Sequence, residues 1–201
     1  MKMAMLVFDD FELLDVFGPL EMLGQLKESL SIDIVAERTG AISSVQGVEI
    51  VANRDFTQGI YDIIMVPGGQ GTRREVSNPA LLQWIVTHAW QCQYLCSVCT
   101  GAALLAKAGV LDGKRATTNK LAFDWVVSQS DKVDWVRKAR WVQDGNIFTS
   151  AGVSAGMDMS LALISHIWGE AKAHHVADYA EYEWKNDPES DAFADKYTQV
   201  T

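Results

Sequence analysis

Positive charge is in short supply in this chain: 17 Lys and Arg stand against 26 Asp and Glu, for a formal net charge of −9. No basic stripe interrupts that balance, which excludes nucleic acid and anionic membrane surfaces as partners, since both demand clustered cations. Long apolar runs are missing as well. Nothing reaches the ~18 consecutive apolar residues of a membrane-spanning helix, and no charged N-terminal region precedes an apolar segment. The reading is a soluble, cytoplasmic protein. Cysteine is scarce, with three residues all between Cys92 and Cys99. An odd number so tightly grouped excludes a disulfide framework and suits a reducing compartment. The four histidines show no metal-ligand spacing, and no internal repeat or low-complexity linker divides the chain. One domain over residues 1–201 is expected, with residues 186–201 as an acidic, loosely ordered tail.

What is present is a core-forming composition, 48% hydrophobic, in which strand and helix signals alternate. Met3 to Phe8 is continuously apolar, the pattern of a strand buried on both faces of a parallel sheet. A polar loop through Asp15 leads to Gly18-Pro19, where proline suits a first helical position, and a helix to about Lys27 follows. Ser31 to Ala36 is a second strand, and Ser43 to Ala52, around Gly47, a hairpin excursion. Ile60 to Val66 is a third core strand, ending in the glycine-rich Pro67 to Gly71. Asn78-Pro79 opens a helix to Trp90. Further strands are expected at Ala116 to Thr118 and on both sides of Asp144-Gly145, over Val133 to Val142 and Ile147 to Ser150. Helices are expected over Lys120 to Ser128, Met157 to Trp168 and Glu170 to about Lys185, with a small-residue turn at Gly152 to Gly156. This alternation is that of an α/β three-layer sandwich, a mostly parallel sheet with helices on both faces. Ligands in such sheets bind beyond the carboxyl ends of the strands. Asp15, the Pro67 to Gly71 loop and Cys99 all fall there.

The stretch from Gln93 to Ala106 organises the rest. Tyr94 to Val98 reads as a strand, and from Thr100 the small, Ala/Leu-rich sequence reads as a helix. Cys99 sits at the joint, before Thr100-Gly101, where small neighbours allow a tight nucleophile elbow. A thiol at a helix N-terminus is expected to be activated towards the thiolate. The spacing C-x3-C-x2-C also matches an iron–sulfur motif. An extended Tyr94 to Val98, however, holds Cys92 and Cys99 roughly 20 Å apart, too far to grip one cluster. Pro67 to Gly71 lacks the lysine of a phosphate-binding loop, so no nucleotide site is expected.

Ser97 to Thr118, SVCTGAALLAKAGVLDGKRATT, resembles the nucleophile region of the ThiJ/PfpI superfamily, relatives of class I glutamine amidotransferases. With LDVFGP at Leu14 to Pro19, VPGG at Val66 to Gly69 and TSAGVSAGMD at Thr149 to Asp158, the chain is most similar to the isocyanide hydratase branch. The same motifs occur in amidase-like domains of AraC-type regulators, but no helix-turn-helix domain is expected in a chain read to Thr201. The resemblance implies a flavodoxin-like fold, Cys99 as nucleophile, Asp15 as its acidic partner, and Thr100 as a hydroxyl and backbone donor at the elbow. It makes Gly69 and Gln70 backbone donors across the pocket. One departure stands out: many relatives have histidine after ATT, and this chain has Asn119, so a Cys-His dyad is not available there.

The resemblance further implies hydration of an isocyanide to an N-substituted formamide, without metal or cofactor, by a homodimer. The apolar Met157 to Trp168 helix is read as supporting the dimer. Two alternatives remain open: another cysteine-dependent activity of the superfamily, amidase or glyoxalase-like, and a non-catalytic sensor working through oxidation of Cys99.

Overall fold

The computed structural model describes residues 1–197. In chain order it contains β1 (Lys2–Leu6), α1 (Leu13–Gly24), β2 (Ser31–Val35), β3 (Gly40–Ser43), β4 (Glu49–Ala52) and β5 (Ile63–Val66). There follow the single turn α2 (Thr72–Glu75), α3 (Pro79–Ala89), β6 (Tyr94–Val98), α4 (Gly101–Lys107), β7 (Arg115–Ala116), α5 (Phe123–Val127) and β8 (Asp134–Trp135). β9 (Trp141–Asp144), β10 (Ile147–Ser150), α6 (Ala155–Trp168) and α7 (Glu170–Tyr179) complete it.

Six strands form the central sheet in the order β2-β1-β5-β6-β10-β9. All neighbours are parallel except β9, which pairs antiparallel with β10 through a tight turn at Gly145, φ 61°. The inner strands β1, β5 and β6 are almost wholly buried, as their unbroken apolar runs require when helices cover both faces. The chain runs from β1 out to β2 and then crosses back to β5 on the other side of β1. That reversal opens a crevice at the carboxyl ends of β1 and β5.

Several boundaries differ from the sequence reading, each for a local reason. The first helix begins at Leu13 and carries Pro19 within it. Its buried positions Asp15, Val16, Gly18, Pro19, Met22 and Leu23 recur at the helical period, so one face enters the core. That burial offsets the proline's missing hydrogen bond, about 3 kcal/mol in a helix interior. Asp15 therefore stands in the first turn of a helix and not on a solvated loop. The expected strand from Val133 is reduced to Asp134–Trp135, which pairs with β7 apart from the main sheet. Before β9 the buried Arg140 leaves the strand direction to reach Asp158 on α6, with Nε and Nη2 2.7 and 2.6 Å from Oδ2. Lys120 is not helical; its buried ammonium donates to Thr117 Oγ1, Thr118 O and Ala139 O.

The segment read as a loose tail makes contacts with the rest of the fold as far as Asp191. Tyr182 Oη and the Lys185 amide donate to Asp158 Oδ1 at 3.0 and 2.9 Å, the Arg140 amide donates to Pro188 O, and Asp191 lies 3.2 Å from Lys120 Nζ with both side chains buried. Residues 198–201 of that expected tail lie outside the described residues. The apolar helix α6 is consumed by the chain's own core, burying Met159, Leu161, Leu163 and Ile164.

Candidate active site

Four strand ends converge on Cys99. β6 delivers it directly, β1 leads into α1 and Asp15, β5 into the Pro67 to Gly71 loop, and β10 into the turn at Gly152 and Val153. Cys99 adopts φ 55°, the left-handed conformation that an L-residue enters at a cost of about 1–2 kcal/mol. Such strain at a strand-to-helix joint is the mark of a nucleophile elbow. Its neighbours explain how the turn is tolerated. A Cβ at Gly101 would collide with the Val66 carbonyl oxygen, and one at Gly68 would lie 2.6 Å from the Thr100 nitrogen and 2.9 Å from Asp15 Oδ2. Both positions must be glycine for β5 and β6 to approach this closely.

Asp15 is fully buried. Its Oδ2 accepts a 2.9 Å hydrogen bond from the Gly68 amide, while Oδ1 has no partner among the described residues. Burial holds its carboxyl well above the usual range; the Gly68 amide pulls the other way, the charge of Glu12 adds to the rise, and a hydrogen bond with Cys99 lowers it. Cys99 is also pushed well above its ordinary value, by burial first and by Asp15 second. The Thr100 and Val153 amides and the Thr100 hydroxyl favour the thiolate. They do not outweigh the burial. The expectation of a thiol activated by its helix end is thus corrected: α4 has seven residues, too short a dipole to offset desolvation of the sulfur. Acid and thiol form a pair in which negative charge is disfavoured on both.

Thr100 ties the elbow to the glycine loop. Its Oγ1 accepts from the Gly69 amide at 3.0 Å and from Thr72 Oγ1 at 3.2 Å. The Gly69 amide is therefore engaged, and donation across the pocket from this loop falls to Gln70, whose amide has no acceptor among the described residues. Thr118 Oγ1 donates to the Cys99 carbonyl at 2.7 Å, fixing the strained peptide from below. A cleft of about 260 Å³ is lined by Cys99 with Gly69, Gln70, Thr100, Asn119 and Val153, with Glu12, Arg73 and Leu121 also on its walls.

All five residues expected from the sequence thus meet at one place, four of them on the cleft wall and Asp15 beneath Gly68. Asn119 does too, its Oδ1 accepting from the Ala122 amide at 3.0 Å. No histidine lines the cleft. His88 bonds Trp84 O, His166 packs edge-on to Tyr94 and Phe148, and His174 lies beside Glu170. Sequence reasoning missed Val153, Gly68, Thr72 and Arg73. The first lies in the small-residue turn and the other three in or just after the glycine loop, so proximity to those turns was the available signal. Cys92 and Cys96 are buried away from the site, with thiols raised by burial, Cys92 to about 11. No group of His, Cys, Asp and Glu able to hold a metal occurs among the described residues. No helix among them is long and apolar enough to cross a membrane.

The chain has counterparts among known proteins. The chain is 32% identical over 183 residues to the isonitrile hydratase of Pseudomonas putida, covering 90% of this chain and 78% of that protein. It superposes with a TM-score of 0.83 on the crystal structure of a ThiJ/PfpI family protein from Pseudomonas syringae, at 30% identity, over 90% of this chain and 75% of the other. It is also 34% identical over 117 residues to the HTH-type transcriptional regulator CdhR of Pseudomonas aeruginosa, but that match spans 58% of this chain and 34% of the regulator. The model of the DJ-1/PfpI family matches residues 1–166, the whole stretch that builds the sheet, the elbow and the acid beneath it, and the chain belongs to that family.

Proposed function

We propose that this protein hydrates isocyanides to N-substituted formamides, with Cys99 as nucleophile and Asp15 as the proton carrier. The observation that carries the reading is the fully buried Asp15 carboxyl, its proton affinity raised by desolvation and its Oδ1 without a partner among the described residues, beneath a cleft that holds Cys99 and Asn119 and no histidine. The terminal carbon of an isocyanide has carbene character and must receive a proton as well as a nucleophile. A carboxylic acid next to a thiol supplies both.

The pair starts uncharged. As sulfur bonds to the terminal carbon, Asp15 delivers its proton to that carbon and takes the thiol proton in return, giving the thioimidate R–N=CH–S–Cys99. Water then adds to the thioimidate carbon while Asp15 relays a proton to nitrogen. The resulting R–NH–CH(OH)–S–Cys99 collapses to R–NH–CHO and regenerates the thiol. One isocyanide and one water are consumed, and every bond change is accounted for by Cys99, Asp15 and water. The Thr100 and Val153 amides, which favour negative sulfur, steady the charge that develops as sulfur leaves. The Gln70 amide is free to hold the water or the emerging carbonyl oxygen. The likeness to an isonitrile hydratase points the same way, isonitrile being another word for isocyanide. We also propose a homodimer. Leu14 and Phe17, one turn apart on α1, and Val45 on the cleft wall are exposed apolar groups, which a second copy would cover.

The test is to incubate the purified protein with an aryl isocyanide and follow formamide by absorbance. Turnover that disappears in Cys99→Ser supports the reading. Absence of turnover, with peroxide oxidising Cys99 readily, would replace it by the sensor reading.

A further inference from the structure

Arg73 is the unexplained charge of the cleft. Arg38, Arg54, Arg74, Arg137 and Arg140 each pair with a carboxylate. Among the described residues Arg73 does not, nor does Arg115 outside the cleft, although the chain has a net charge of −9 and carboxylates in excess. Its guanidinium lies over the Trp125 ring, 4.5 Å from the centroid, and no hydrogen bond or ion pair occupies its N–H groups among the described residues. Stacking fixes the plane of a guanidinium and leaves its edge free, the arrangement that accepts a planar carboxylate through two parallel hydrogen bonds. Arg73 belongs to the wall of the same cleft as Cys99. Glu12, the acidic group on the cleft wall, is engaged by Gln46 Nε2 at 2.6 Å and repels an anion from its own side. Leu121, Ala122 and Val153 supply apolar wall between the charged ends.

We propose that Arg73 makes this cleft selective for substrates bearing a carboxylate at the end remote from the reacting carbon. Resting on the hydratase reading, this identifies the substrates as isocyanides carried on carboxylate-bearing skeletons, the ring or chain lying on the apolar wall. An acidic protein repels such molecules elsewhere on its surface, so one unpaired arginine at the mouth also orients their entry.

The experiment compares meta- and para-isocyanobenzoate with the corresponding isocyanobenzamides, which are neutral and of the same shape, on the parent, Arg73→Gln and Arg73→Lys. At least one benzoate should exceed its amide in kcat/KM. That ratio should fall at least about tenfold in Arg73→Gln, mainly through KM, and be retained only in part in Arg73→Lys, which keeps the charge and loses the two parallel hydrogen bonds. A parent ratio at or below one, or a ratio indifferent to Arg73→Gln, overturns the proposal. Calorimetric binding of the product formamidobenzoates separates it from the reaction itself. Arg73-dependent, salt-sensitive binding without any isocyanide turnover sinks the hydratase reading and leaves the selectivity standing. Turnover of the benzamides with Arg73-independent binding does the reverse, and neither turnover nor binding removes both.

Discussion

Asp15→Asn separates a buried acid from a buried carboxylate by two measurements with opposite signs. The folded protein raises the Asp15 pKa, chiefly by desolvation, whereas the unfolded chain ionises near the ordinary value of about 3.9. A group raised on folding contributes its stability below the unfolded pKa and loses it as pH climbs towards the folded one. The loss is about 1.4 kcal/mol for each pH unit over which the folded state still holds the proton and the unfolded state has released it. Asparagine has no such dependence. It can still accept from the Gly68 amide, but its NH2 takes the buried place of Oδ1, which has no partner among the described residues, a fixed cost of about 1–3 kcal/mol. In urea titrations followed by circular dichroism, the variant should therefore be the less stable protein near pH 4 and gain on the parent steadily as pH rises from there. Isocyanide turnover should meanwhile fall at least ~10²-fold, since the transferable proton is gone. A stability difference that does not vary between pH 4 and pH 7 would mean that Asp15 is an ordinary carboxylate in the folded protein, and the proton relay built on it would have to be abandoned.

The remaining predictions are briefer. Cys99→Ser should keep the fold and lose turnover, because the hydroxyl is far less acidic and no histidine lines the cleft to activate it; activity within tenfold of the parent refutes the nucleophile. Cys96→Ala, at a fully buried strand position, should retain kcat while lowering stability by about 1 kcal/mol or more, measured by thermal unfolding. Asn119→His should not raise kcat/KM substantially, since the relay needs no imidazole; a hundredfold gain would show a Cys-His enzyme impaired by its asparagine. Asp158→Ala should cost about 3–5 kcal/mol in chemical denaturation, because Arg140 would be left as an uncompensated buried charge.

Much of the fold was legible because the sheet announces itself in composition. Buried parallel strands need apolar residues on both faces, and Met3 to Phe8, Ile60 to Val66 and Tyr94 to Val98 say so without help from periodicity. Elements whose limits are set by polar side chains were not legible. The strand expected through Val133 to Val142 breaks where Arg140 is drawn to Asp158, and the helix expected from Lys120 is delayed because that ammonium is held by two backbone carbonyls, a threonine hydroxyl and Asp191. Each partner is distant in sequence or hidden in an irregular segment, so no local pattern foretold the pairing. The same long-range bonds order the chain after Tyr182, whose acidic composition by itself suggests a solvated tail.

Within the site the division follows the same physics. Cys99 could be read from its neighbours, since an elbow requires small residues at fixed offsets and Gly101 meets a backbone oxygen if anything is added. Asp15 had a signal that Pro19 concealed. Taking the proline as a first helical residue put the acid in a loop, whereas the spacing of Asp15, Val16, Pro19, Met22 and Leu23 marks one continuous buried face. Read that way, the acid on the inner face of a helix must either find a cation or keep its proton, because burying an isolated carboxylate is prohibitive. No Lys, Arg or His hydrogen-bonds or ion-pairs with it among the described residues; its hydrogen-bond donor is the Gly68 amide, and Cys99 is a titratable neighbour. The raised pKa is then a consequence of the helix's register as much as of the chemistry, and a single-residue shift of that register would turn the carboxyl out to solvent.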